Sequence, residues 1–261
     1  MTSAPAEAGE EGVREICTAR QGYVHSVETA GTVDGPGIRY VLFLNGCPLR
    51  CKYCHNPDTW QMKRGTLRGA AEILDDIRSY RDFLLRAKGG VTISGGEPLM
   101  QPAFLETLFA GCKSMGLHTA LDTSGHLHQY APDSLFDHVD LVLLDIKSGD
   151  EATFRRVTNK PLQPTLDFAA RMSARSIPMW VRFVLVPGLT DHDDNIRAVA
   201  RIISKLEPLA RVEILPFHQL AAHKYENLGL KYDLKDTPQA TPADVIRAWH
   251  LFSEEGVFSV R

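Results

Sequence analysis

"IRYVLFLNGCPLRCKYCHN", residues 38–56, runs an apolar segment straight into three cysteines. Its first part, IRYVLFLNG (38–46), reads as a buried strand: short, apolar, and rich in β-branched and aromatic residues. Five later runs have the same texture: GVTIS (90–94), LHTALDT (117–123), VDLVLLDIK (139–147), PMWVRFVLV (178–186) and RVEILPF (211–217). Helical periods lie between them, with Ile73, Ile77, Tyr80, Leu84 and Ala87 on one face. Leu105, Leu108, Cys112 and Met115 form a second stripe, and Ile196, Val199, Ile203 and Leu206 a third. Strands alternating with helices predict an α/β fold with a parallel sheet. Nearly continuous apolar strands predict burial on both faces. Six such units predict a partial (β/α)6 TIM-like barrel of mostly parallel strands.

In barrels of this kind the chemistry sits at the C-terminal ends of the strands. Cys47 follows the first run, Gly95-Gly96-Glu97 the second and Asp122-Thr123 the third. Asp145-Ile146-Lys147 ends the fourth, and His218 follows the last. The coincidence predicts one shared site.

The chain has 261 residues, 44% hydrophobic and 23% charged, which fits a soluble globular protein with a large core. A formal net charge of −3 argues against a nucleic-acid partner, since phosphate contacts need a basic excess. No apolar run approaches ~18 residues, and the N-terminus lacks a signal-peptide core, so no membrane role and a cytoplasmic location are expected. Residues 1–19, rich in Ala, Glu and Gly, are expected to be a flexible tail, with residues 20–261 forming the core domain.

Five cysteines, an odd number with three crowded together, do not suit a disulfide scaffold. Cys47, Cys51 and Cys54 stand at C-x3-C-x2-C, which points to metal binding. A closed zinc site wants four ligands, often from two separated knuckles. Here there is one compact loop, and His55 adjoins Cys54 too closely to share one ion easily. Cys112 lies on an apolar stripe and reads as packed core, while Cys17 sits near the tail. Three thiolates on a 4Fe-4S cluster would instead leave one iron open to a substrate or cofactor.

With Tyr53 before its last cysteine, this loop resembles that of the radical S-adenosylmethionine family. The resemblance implies a 4Fe-4S cluster on Cys47, Cys51 and Cys54 that cleaves S-adenosylmethionine reductively, giving a 5′-deoxyadenosyl radical. Tyr53, His55 and Asn56 would flank the cofactor. Gly95-Gly96-Glu97 alone reads as a tight turn; it resembles the family's GGE motif, which receives the cofactor's ammonium group. VLLDIK (142–147) alone reads as a buried strand with polar ends; the resemblance implies that Asp145, Ile146 and Lys147 bind the cofactor. His218 is one of ten histidines, and ILPFH matches a segment implied to contact ribose or adenine. Asp122, Thr123, Leu143 (through its carbonyl) and Asp145 resemble a monovalent-cation site. Arg182 lies inside an apolar strand, where an unpaired charge is costly, so it is expected to pair inside the barrel, with Asp34 the candidate partner.

"GTVDGPGIRYVLFLNGC", residues 31–47, identifies the branch. VDGPGIR just upstream of the cysteines resembles the activating enzymes of glycyl radical enzymes, and the likeness runs in order over roughly residues 20–255. It implies abstraction of a hydrogen atom from a backbone glycine of a partner enzyme, with Asp34 near the incoming glycine loop. The implied partner is pyruvate formate-lyase, the implied electron donor a flavodoxin or ferredoxin, and the chain is expected to be a monomer. Only Cys17 and Cys112 remain outside the loop, too few for an auxiliary cluster. An activase of another glycyl radical enzyme, and a zinc or iron–sulfur module without catalysis, are the competing readings.

Overall fold

All six predicted strands form in the computed structural model, which describes residues 20–258. Counting in chain order, they are β2 (Arg39–Leu44), β4 (Gly90–Gly95), β5 (His118–Thr123), β6 (Leu141–Asp145), β7 (Met179–Leu185) and β8 (Leu209–Pro216). Each is parallel to its neighbours in this series. Two further strands, β1 (Gln21–Gly31) and β3 (Thr66–Gly69), add antiparallel pairs beyond β2. The sheet order is β3-β1-β2-β4-β5-β6-β7-β8. The sequence reading of six strands is therefore two short. QGYVHSVETAG is largely polar, and its half-exposed pairing shows only after β2 is in place. The sheet ends at β3 and at β8 without closing, so the barrel is partial. The expected tail and Cys17 lie outside the described residues.

The three apolar stripes become α1 (Ala70–Arg86), α2 (Pro102–Ser114) and α6 (Asp193–Ile203). The remaining helices are α3 (Asp133–Phe136), α4 (Glu151–Thr158), α5 (Gln163–Ala174), α7 (Ala222–Asn227) and α8 (Pro242–Glu254). None of these helices is long and apolar enough to cross a membrane.

Side chains alternate across a strand, so each strand feeds two environments. Leu121, Val142, Leu144, Val181 and Phe183 join the large core, as does Cys112, which is fully buried. Ala120, Leu141 and Leu143 face inward with Trp180 and fill the lower barrel. The next inward positions toward the strand ends are Asp122, Asp145 and Arg182. The barrel interior thus changes from apolar to charged within one step of the pleat.

Candidate active site

The cysteine loop is held by its surroundings on three sides. Helix α4 starts at an Asp150 cap, whose carboxylate accepts the Thr153 N–H at 2.7 Å, and ends at Asn159 in the left-handed region with φ 60°. A helix end leaves carbonyls without intrahelical donors. The cysteine loop supplies them: Arg50 N–H reaches the Thr158 carbonyl at 2.9 Å and Lys52 N–H the Val157 carbonyl at 3.0 Å. At the loop's start, Gly46 N–H donates to the Thr59 carbonyl at 2.7 Å and Cys47 N–H to that of Trp60 at 3.2 Å. At its end, the Tyr225 hydroxyl of α7 donates to the Cys54 carbonyl at 3.0 Å. Lys224 adds bonds to Asn56 and Asp58.

Gly95-Gly96-Glu97 is built around the same loop. Gly96 N–H donates to the Leu44 carbonyl and Glu97 N–H to the Gly46 carbonyl, at 2.8 and 2.7 Å. A Cβ on Gly96 would stand 2.3 Å from the Gly46 carbonyl oxygen, so the close approach requires glycine. The Glu97 side chain is 1% exposed, and both its oxygens are engaged within the protein. Oε1 accepts from Thr123 Oγ1 and the Leu99 N–H; Oε2 accepts from the Ser124 N–H and hydroxyl. Burial raises its pKa, and these four donors pull the other way. In this structure the carboxylate ties the end of β5 to the turn after β4.

These elements line one cavity of about 520 Å³. It takes in Asp34, Cys47, Cys51, Tyr53, Cys54, His55, Asn56, Gly95, Gly96, Glu97, Asp122, Thr123, Asp145, Lys147 and His218. Two expected site residues stand apart. Ile146 points its side chain into the outer core, and Leu143 is buried in the inner cluster, so only their backbones can serve the cavity. Residues the sequence reading did not place here include Trp60, Ser94 and Ser124, while Arg182, expected inside the barrel, lines the cavity too.

Arg182 differs from its expected pairing. Nη2 is hydrogen-bonded to Asp122 Oδ1, and Nε lies 3.3 Å from Asp145 Oδ1. Asp34 is not among its ion-pair partners and feels it through space. Lys147 closes the layer, 2.8 Å from Asp145 Oδ2 and 5.7 Å from the Tyr53 ring centroid. Ser94 donates to Asp122 Oδ2 at 2.6 Å. Burial lifts Asp122 to about 6 against the pull of Arg182. Burial also acts to raise Asp145, but Arg182 and Lys147 outweigh it and its pKa is lowered. The alternation was visible in the strands; which carboxylates meet the guanidinium depends on strand register.

The His55 and His218 rings lie 4.4 Å apart, and burial, then His218, lowers the His55 pKa. His218 Nδ1 and the Tyr53 hydroxyl are buried with no hydrogen-bond partner among the described residues. All three loop thiols are free. Burial raises each of them, Cys51 to about 12. A metal centre bound here would have to displace those protons. The three thiols line one cavity. A loop that offers three thiols and no fourth protein ligand fits an iron–sulfur cluster with one open iron better than a closed four-ligand zinc site.

An α/β partial barrel with a three-cysteine loop at its C-terminal mouth is the architecture of one large enzyme class, and the chain belongs to it: the Radical SAM superfamily model matches residues 41–199. Within that class it is 43% identical, over 92% of its own length and 98% of the relative's, to the pyruvate formate-lyase-activating enzyme of Staphylococcus aureus. It is thus a homologue of a radical S-adenosylmethionine activating enzyme. Two solved structures share the fold. One is a domain of a pyruvate-formate lyase-activating enzyme from Bacteroides vulgatus, with TM-score 0.54 and 23% identity over 66% of this chain and 98% of that one. The other is a radical SAM methyltransferase from Sphaerobacter thermophilus, with TM-score 0.59 and 15% identity over 88% of this chain and 71% of that one.

Proposed function

We propose that this chain activates pyruvate formate-lyase by placing a radical on one of its backbone glycines. The observation that carries the reading is convergence: the cysteine loop, Gly95–Glu97, Asp145, Lys147 and His218 share one cavity, and Asp34 lines both it and a second cavity. A 4Fe-4S cluster held by Cys47, Cys51 and Cys54 would supply one electron for homolysis of S-adenosylmethionine, giving the 5′-deoxyadenosyl radical that takes the glycine hydrogen.

The chain's own residues bind, orient and shield. Lys147 presents a point charge at the cavity wall for a carboxylate. Asp145 fixes that ammonium, and Arg182 fixes Asp145. His218 and Asn56 offer polar atoms to the ribose and adenine, and the unpartnered His218 Nδ1 supports a hydrogen-bonding role there. The apolar layer of Ala120, Leu141, Leu143 and Trp180 closes the floor below the charges. A monovalent cation at Asp122, Thr123, the Leu143 carbonyl and Asp145 would share both carboxylates with the Arg182 guanidinium.

The second cavity, about 360 Å³, is bordered by Thr32–Gly35 and by Arg211, Glu213 and Leu215 of the sheet's free edge. It meets the first at Asp34, Arg182 and Leu215. A polypeptide loop entering there reaches Asp34 before it reaches the cysteines' side of the barrel.

The test is anaerobic electron paramagnetic resonance on reconstituted, photoreduced protein with S-adenosylmethionine and pyruvate formate-lyase. A glycyl doublet with matching 5′-deoxyadenosine is expected. Deoxyadenosine without a doublet would point to another glycyl radical enzyme. One zinc per chain and no cleavage would leave a non-catalytic metal module.

A further inference from the structure

Lys224 of α7 lies 168 residues from Asn56, yet the two side chains meet: its Nζ donates to Asn56 Oδ1 at 3.0 Å. The same ammonium stands 3.2 Å from Asp58 Oδ2. Asp58 is held in turn by His25 of β1, whose Nε2 lies 3.1 Å from that oxygen. A chain of contacts thus runs from β1 through Asp58 and Lys224 to Asn56. Of these four residues only Asn56 lines the cavity of the cysteine loop. Whatever Lys224 does for a molecule bound there passes through Asn56.

The contact has a direction. A lysine ammonium carries three donors and no acceptor, so an amide can offer it only its oxygen. Such one-way partners are what orient a side-chain amide. With Oδ1 committed to Lys224, Asn56 Nδ2 makes no hydrogen bond among the described residues. The Asn56 backbone is fixed as well: its carbonyl accepts from the Thr59 N–H at 3.0 Å and the Thr59 hydroxyl at 2.7 Å. Tyr225, beside Lys224, bonds the Cys54 carbonyl and sets its ring edge-on to Trp60 with centroids 6.0 Å apart. Helix α7 is therefore seated on the loop by more than one contact.

We infer that Lys224 is a positioning residue: it locks the Asn56 amide with its N–H group toward the cavity, so that Asn56 recognises a hydrogen-bond acceptor on the nucleoside part of S-adenosylmethionine. This rests on the radical reading above. Asp58 holds the ammonium in place and becomes its rival once the ammonium is removed. A carboxylate only accepts, so it draws Nδ2 toward itself and turns Oδ1 to the ligand. Acceptor then faces acceptor.

The experiment is equilibrium binding of S-adenosylmethionine to the anaerobically reconstituted full chain, with KM and kcat for deoxyadenosine formation measured alongside. Lys224→Met is expected to weaken binding roughly three- to tenfold, the range of one lost hydrogen bond. It should raise KM and leave kcat near wild type, as loss of uniform binding does. Lys224→Arg, also a pure donor, should recover most of the affinity. On the Asn56→Ala background, Lys224→Met should cost no further affinity, because two residues acting through one contact are not additive. Additive losses would overturn the inference, since Lys224 would then act on the loop as a whole. So would wild-type affinity in Lys224→Met. If Lys224→Met loses iron, Asn56→Asp decides: its carboxylate still pairs with Lys224 but leaves an oxygen facing the cavity. Iron content should then be kept and binding weakened at least as much as by Asn56→Ala; wild-type affinity would overturn the inference. An iron-loaded wild type that binds no S-adenosylmethionine would overturn the radical reading and this inference with it, whereas the failures above leave that reading standing.

Discussion

Arg39 and Arg182 are both arginines set into strands of one sheet, the first wholly and the second mostly out of solvent, and they serve opposite ends. Arg39 is wholly buried at the start of β2 and meets no carboxylate among the described residues. Its Nε donates to Thr92 Oγ1 at 2.9 Å and its Nη2 to the Val91 carbonyl at 2.6 Å, while Nη1 lies 3.2 Å from His118 Nδ1. Burial draws its pKa down to about 10. Burial acts the same way on Arg182, but Asp122, Asp145 and Asp34 outweigh it and the pKa is raised. Neutral acceptors satisfy a guanidinium's donors without compensating its charge. Carboxylates do both, and they form the charged layer on which a site can be built. Arg39 braces the fold instead: Thr92 Oγ1 accepts from it and donates to the Asp34 carbonyl at 2.6 Å, so the brace reaches the turn that carries Asp34.

The sharpest way to break this contrast is Arg182→Met. It leaves Asp122 with only the Ser94 hydroxyl beside an Asp145 still held by Lys147, and we expect a loss of about 3–5 kcal/mol in urea unfolding. Cleavage of S-adenosylmethionine should fall below detection, with Arg182→Lys recovering part of the stability. Unfolding within about 1 kcal/mol of wild type would erase the distinction between the two arginines.

Arg39→Met should cost less, about 1–3 kcal/mol, because it strands neutral acceptors rather than charges. It should also lower glycyl radical yield more than deoxyadenosine yield, since the Asp34 turn loses its brace. A stability loss matching that of Arg182→Met would refute the ranking.

Asp34→Ala sharpens the functional half. Burial raises the Asp34 pKa although Arg182 and Arg39 oppose it, so removing the carboxyl should leave the unfolding midpoint near wild type. We expect roughly a tenfold drop or more in partner activation, relative to uncoupled cofactor cleavage, for loss of an oriented charged contact. Equal loss of both activities would move Asp34 into the cofactor's surroundings.

The smallest expected effect concerns His118, beside Arg39. Burial lowers its pKa, and the Arg39 charge lowers it further. The folded protein therefore prefers neutral His118. Its contribution is present above the unfolded value of about 6.5 and is lost as pH falls through the folded value. His118→Gln should flatten the decline in urea stability between about pH 7.5 and pH 5. An unchanged slope would show that the histidine is not coupled to the brace.

Much of this was legible in the chain. The six parallel strands, three of the helices and the loop of Cys47, Cys51 and Cys54 are each written in a local pattern, and each is present. Strand β1 was not legible, because its polar residues gain a partner only when β2 lies beside them. The engagement of both Glu97 oxygens was also hidden, since Ser124 and Thr123 are brought to it from the next strand.

Sequence alone determined where the cysteine loop and the candidate polar residues fall at the strand ends, because hydrophobic period and cysteine spacing are properties of neighbouring positions. Tertiary structure decided who meets whom. Arg182 lies 60 residues from Asp122 and 37 from Asp145, and Tyr225 lies 171 from Cys54. Such pairs are fixed by the register of parallel strands and by the helix ends packed across the barrel mouth. No local pattern records a distance between strands, and the electrostatic balance of the site depends on those distances.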